Sequence, residues 1–214
     1  MVTINVLNKD NMELAVEDLI EKSLINGYTY GAYRALVAGL AEKGATTGPE
    51  QTEAFVQYTR LNDSRMRRWD KTLRFSDEDI AKIKSVDQPV SWLVLTESWC
   101  GDASPALPVM HKITEINPKV SLTIILRDMN LAIMDRFLTN GTRSIPKLVA
   151  INQNSGVPVA TWGPRSMKAT VMVEKYKNTH GKLTPEFKQD LQLFYNKDKG
   201  QSILEDLLRL LPLK

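Results

Sequence analysis

The segment Glu97-Ser98-Trp99-Cys100-Gly101-Asp102-Ala103-Ser104-Pro105 carries the side chains best suited to covalent chemistry. It follows a continuous apolar run of strand length, Ser91 to Thr96, and opens a segment that reads as helix up to Ile116. A thiol at such a helix start faces unsatisfied backbone N–H groups and the positive end of the helix dipole, both of which favour thiolate. A depressed pKa would make Cys100 nucleophilic near neutral pH. Free cysteines are also among the most buried residue types, so position alone equally allows Cys100 to be filler. Glu97 and Asp102 oppose the dipole, because neighbouring carboxylates disfavour a thiolate. Ser98 and Ser104 are placed either to donate to the sulfur or to cap the helix.

Other chemistry has little material. Cys100 is the only cysteine, which excludes an intramolecular disulfide and a cysteine-based zinc site. His111 and His180 stand alone, without metal-ligand spacing, and no metal is expected. The basic run Arg60, Arg65, Arg67, Arg68, Lys71, Arg74 lies on a helical pattern with Asp63 and Asp70 interleaved, and reads as a solvated face. With a net charge of +3 and no phosphate-binding glycine loop, nucleic acid is not an expected partner.

These residues need a scaffold, and 214 residues at 43% hydrophobic and 25% charged describe an ordinary globular chain. The apolar period changes near residues 87–89. Before it, helices are expected around Met12 to Leu24, from Thr29 to Gly44, from Pro49 in a first turn through Phe55, Thr59, Asn62, Met66, Trp69 and Leu73, and after the cap Ser76. Val2 to Leu7 alternates like a strand. After it, strands at 91–96 and 121–126 and helices at 101–116 and 131–138 precede a hairpin of 147–151 and 157–162. Helical segments follow at 167–176, 185–195 and 203–211. Asn62 suits a helix pairing that needs register, although a solvent-facing role is the commoner one. The division expected is a helical N-terminal extension over 1–87 packed on the core, an α/β domain over 88–181 and a C-terminal helical extension over 182–214. Met1 to Leu7 shows no basic flank or signal-length apolar stretch, and no run approaches a membrane span, so a cytoplasmic protein with no membrane partner is expected.

The chain resembles the thioredoxin-like superfamily over about residues 89–180. Trp99-Cys100-Gly101 is similar to the start of the Trp-Cys-Gly-Pro-Cys signature, and Pro108 matches the proline eight positions after the first cysteine. Arg143-Ser144-Ile145-Pro146 resembles the segment that ends in Ile and a cis-proline, and Gly163 resembles the glycine of the third groove-lining loop. More narrowly, the Trp-Cys-Gly-Asp-Ala motif with a helical N-terminus looks like a bacterial subgroup. The resemblance implies an α/β, three-layer thioredoxin-like fold with a central mixed sheet, an N-terminal helical extension and C-terminal helices. It also implies a cis bond before Pro146, and places Arg143, Lys147 and Arg165 on loops near the thiol. Lys147 is expected to be a solvated surface charge; Arg143 is left open.

Departures from the family pattern shape the functional expectation. Ala103 stands at the resolving cysteine, Val94 at the buried aspartate and Asp102 at the proline between the cysteines. Dithiol exchange needs a second thiolate, so the ordinary mechanism is excluded. The expected function is a monothiol oxidoreductase in which catalytic Cys100 forms mixed disulfides with protein or glutathione disulfides. No bound cofactor is expected, and glutathione or another external thiol would resolve the adduct. Trp99, Gly101, Asp102, Arg143, Ile145, Pro146 and Gly163 would bind the substrate. The alternative is a non-catalytic module that holds an extended peptide in the groove between Cys100, Pro146 and Gly163. The N-terminal helices are expected either to pack on the core or to form a dimer contact, the second of which would make a homodimer.

Overall fold

A computed structural model describes residues 15–212. The strand expected over Val2 to Leu7, and Met12 of the first helical stripe, lie outside the described residues.

Four helices come first. α1 spans Val16–Asn26 and buries Leu19 and Ile20. α2 spans Tyr30–Lys43; the Thr29 side chain accepts from the Ala32 amide, which satisfies one of its orphan N–H groups. α3 is the long helix, Glu53–Thr72, and α4 is Asp77–Lys84, capped by Ser76. α3 begins later than its sequence suggests. Thr52, not a residue near Pro49, is the N-cap, and its hydroxyl accepts from the Phe55 amide. The Gln51 carboxamide holds the preceding loop in a compact turn, accepting from the Thr46 amide and donating to the Thr46 and Gly48 carbonyls.

β1, Val90–Thr96, is buried at every position, and Trp92 to Leu95 have no exposure at all. α5, Ala103–Ile116, follows the cysteine turn and contains Pro108. β2 is Val120–Leu126, and a 3-10 turn, Arg127–Met129, leads into α6, Leu131–Met134. The helix expected up to Leu138 is therefore shorter. Its last amides tighten onto i−3 carbonyls, Arg136 to Ile133 and Phe137 to Met134, and the chain then reverses through paired bonds between Thr139 and Thr142. β3, Lys147–Asn152, and β4, Pro158–Trp162, form the hairpin, and α7 (Met167–His180), α8 (Pro185–Asp198) and α9 (Gln201–Leu208) close the described chain.

The sheet order is β2-β1-β3-β4. β1 runs parallel to β2 and antiparallel to β3, which is antiparallel to β4, so the sheet is mixed. Tyr28, between α1 and α2, exchanges two backbone bonds with Ile124 at 2.7 and 2.9 Å and so occupies part of the open edge of β2. α3 packs on both α2 and α5, which brings the N-terminal helices against the helix that carries the cysteine turn.

Candidate functional site

The turn from β1 into α5 is gripped from α3 and from the loop before it. Ser98 is buried, and its Oγ lies within hydrogen-bond distance of the hydroxyls of Thr46 (3.1 Å), Thr47 (3.1 Å) and Thr59 (2.8 Å). The Ser98 amide donates to Thr47 Oγ1 at 2.8 Å, and its carbonyl accepts from Asn62 Nδ2 at 2.9 Å. Asn62 is thus neither solvent-facing nor free to set a register between helices: it is 1% exposed and turned onto the cysteine turn, where its Oδ1 also accepts from Arg65. Trp99 stacks on Phe55 of α3 with centroids 4.5 Å apart, and the Arg127 guanidinium lies 5.0 Å from its ring centre.

Cys100 is 6% exposed, and its thiol donates to the Ile145 carbonyl at 3.3 Å. Burial pushes its pKa up to about 12, and the Asp102 carboxylate adds to the rise. The amides of Ala103 and Asp102 and the Arg165 guanidinium pull the other way without overcoming it. The dipole argument from sequence correctly places donors at the sulfur, but desolvation outweighs them. Neither serine donates to the sulfur: Ser104 Oγ bonds the Gly101 carbonyl at 2.8 Å and Ser98 belongs to the hydroxyl cluster.

Asp102 is the best-connected charge here. Its Oδ2 pairs with Arg165 at 2.7 Å and its Oδ1 accepts from the Tyr195 hydroxyl at 3.3 Å. Burial raises its pKa, and Arg165 opposes the rise. Gln192 of α8 donates to the Gly101 carbonyl at 3.4 Å, so α8 braces this turn from the side opposite in sequence to α3. Glu97 is wholly buried; Oε1 accepts from the Asp128 amide at 2.8 Å and Oε2 has no hydrogen-bond partner among the described residues. Burial raises the Glu97 pKa, with the Asp128 amide opposing.

Several residues singled out by sequence converge. The Ile145–Pro146 peptide is cis, and Ile145 supplies the carbonyl that takes the Cys100 proton donor. Gly163 has φ +116°, and a Cβ there would lie 2.1 Å from the Pro146 carbonyl oxygen. Only glycine fits such an approach of two backbones. Arg143 goes elsewhere: it is half-exposed and forms a two-point pair with Asp135 at 2.6 and 2.8 Å, which lowers the aspartate's pKa. Lys147 is not a solvated charge. It is 5% exposed, its Nζ donates to Thr139 Oγ1 at 3.1 Å, and burial lowers its pKa.

Sequence reasoning missed the support. Thr46, Thr47, Thr59, Tyr195 and Gln192 are distant in the chain from Cys100 and carry no motif. A partial signal existed for two: Thr59 and Asn62 are polar positions within the otherwise apolar stripe of α3, and both are buried.

A mixed sheet with a cysteine at the β1–α5 turn, facing the peptide before Pro146 across from Gly163, defines a thioredoxin-like protein. Residues 48–177 match the model of a family described as Thioredoxin, more than half of the chain, and the chain belongs to that family. The match opens ahead of α3, so the helix that holds Ser98 lies inside it. A protein of unknown function from Pseudomonas aeruginosa is similar in structure, with a TM-score of 0.57, 14% identity, and coverage of 86% of this chain and 96% of that one. An HIV epitope-scaffold of the 4E10 series gives a TM-score of 0.54 at 15% identity, covering 81% and 95%. Both likenesses speak to fold alone. The search of curated proteins finds no match. No helix among the described residues is long and apolar enough to cross a membrane.

Proposed function

We propose that this thioredoxin-family chain is a binding module that holds an extended peptide segment at the edge formed by Trp99, Cys100, Gly101, Ile145, Pro146 and Gly163, without thiol turnover. The observation that carries this reading is the state of Cys100: a buried, protonated thiol that donates to the Ile145 carbonyl and whose pKa is pushed up to about 12. Nucleophilic exchange requires thiolate, and below that pKa the fraction present at pH 7 is on the order of 10⁻⁵. No second cysteine is available to release a mixed disulfide. The backbone ahead of Pro146 supports the binding role, because Ser144, next to the buried Ile145–Pro146 pair, is partly exposed and an extended segment can add to such backbone in the manner of β-augmentation. The test has two parts. Incubation with glutathione disulfide at pH 7.5 is expected to leave the intact mass unchanged over an hour, and peptides selected from a random displayed library are expected to bind Cys100→Ser as tightly as the native chain. A glutathione adduct formed within minutes would overturn the proposal.

One observation favours a second reading, the monothiol oxidoreductase. The Asp102 and Ala103 amides and Arg165 all act to lower the Cys100 pKa, so a thiolate exposed by a bound partner would find donors in place. In that reading Cys100 attacks a protein or glutathione disulfide, one thiolate leaves, and glutathione or another external thiol reduces the adduct. The adduct measurement above separates the two.

A further inference from the structure

A second charged feature lies away from the cysteine turn. The C-terminal half of α3 and the end of α8 enclose a cleft of about 410 Å³ lined by Arg68, Trp69, Thr72, Arg74, Asn196 and Lys199. Among the described residues its three ionisable groups are all cations, and no carboxylate lines it. The acceptors these cations do find are neutral. Arg68 donates to the Asn196 carboxamide oxygen, and Arg74 Nη1 donates to the Leu73 carbonyl at 2.7 Å.

The two acids in the C-terminal half of α3 are committed elsewhere. Asp63 pairs with Arg34 and Arg67, and Asp70 takes Arg34 and the Tyr30 hydroxyl. Asp198, next to Lys199 in sequence, accepts from the Ser202 amide and hydroxyl at 2.8 Å. Like charges gathered around a concave surface repel one another, and an anion seated between them would relieve that repulsion.

We propose that this cleft binds a small phosphate-bearing ligand. Two guanidinium groups present planar forks that match phosphate oxygens two at a time, and Lys199 adds a point charge on the facing wall. The volume lies within the range of small-molecule sites. A nucleic acid is disfavoured, because binding through its backbone takes about six to ten phosphate contacts, whereas Asp63 and Asp70 interrupt the basic surface of α3. The site is independent of the peptide-binding edge and stands or falls separately from it.

Titration calorimetry with inorganic pyrophosphate at low ionic strength tests the proposal. A saturable one-to-one isotherm is expected. Arg74→Gln and Lys199→Gln, both exposed positions, are each expected to weaken it at least tenfold. Arg60→Gln is the control on the same helix, its Nε being bonded to the Ala41 carbonyl, and is expected to leave the isotherm unchanged. Absence of a saturable isotherm would overturn the proposal. So would equal weakening by Arg60→Gln, which would mean diffuse charge, or binding of an RNA oligonucleotide in preference to pyrophosphate.

Discussion

Asn62 of α3 closes on Ser98 of the cysteine turn, its carboxamide donating to the Ser98 carbonyl at 2.9 Å while three threonine hydroxyls surround the Ser98 side chain. The N-terminal helices are thereby part of the site's scaffold. Replacing Asn62 by Leu leaves a buried carbonyl without its donor and removes the acceptor for Arg65. The expected loss is about 1–3 kcal/mol of unfolding free energy. Urea denaturation measures it, and amide exchange at Trp99 and Cys100 is expected to accelerate with it. An unchanged midpoint together with unchanged exchange would show that Asn62 does not hold the turn.

Gly163 is expected to be intolerant of any side chain. Its φ of +116° is hostile to L-residues, and the added Cβ would meet backbone, the Pro146 carbonyl oxygen at 2.1 Å, which cannot rotate aside. Gly163→Ala is expected to cost at least about 3 kcal/mol. Gly156, at φ +71° with open space around it, provides the contrast: Gly156→Ala carries only the left-handed penalty of about 1–2 kcal/mol. Parallel denaturation curves for the two variants check the difference, and equal losses would mean that the contact with Pro146 relaxes freely.

What was legible in the sequence were the elements whose signal is local. The apolar run at 91–96, the turn cluster between 152 and 156 and the helix start at the cysteine depend on neighbours in the chain, and the structure places β1, the β3–β4 hairpin and α5 there. The Cys100, Pro146 and Gly163 edge was legible through resemblance, because its motifs recur in order. The charge states were not legible. Helix-dipole reasoning alone points to a reactive thiol, but the burial of Cys100 and the charges beside it depend on segments far apart in the chain: Ile145 supplies the carbonyl its thiol meets, and Arg165 and Tyr195 hold the Asp102 carboxylate next to it. Lys147 failed in the same way: a lysine at a strand start reads as exposed, and only the fold reveals the Thr139 turn that covers and bonds it.

Glu97 is expected to make stability depend on pH. Burial holds its folded-state pKa above the ordinary value of 4.5, so the unfolded chain loses that proton first. Stability from this group is present below the unfolded pKa, falls as pH rises towards the folded pKa, and is fully lost above it. Asp102 is shifted in the same direction, so some slope remains without Glu97. Glu97→Gln is expected to flatten the fall in urea midpoint above pH 4.5 and to leave the protein at least as stable as native at pH 7.5. A slope identical to that of the native chain would show that Glu97 titrates normally.

Asp102 sets the reactivity of Cys100 from two sides. Its carboxylate raises the thiol pKa directly, and it occupies the Arg165 guanidinium, which lowers it. Asp102→Asn removes the first effect and weakens the hold on Arg165, so both changes favour thiolate. Each unit by which the pKa falls gives tenfold more thiolate at a pH well below it. The alkylation rate of Cys100 at pH 8 is therefore expected to rise at least tenfold in Asp102→Asn, and its midpoint to drop from about 12. Arg165→Gln is expected to move the rate the other way. Because Cys100 is the only thiol, intact mass reads the modification directly. Should Asp102→Asn alkylate at the native rate, burial alone would govern the thiol, and a bound peptide would have to open the turn before Cys100 could react at all.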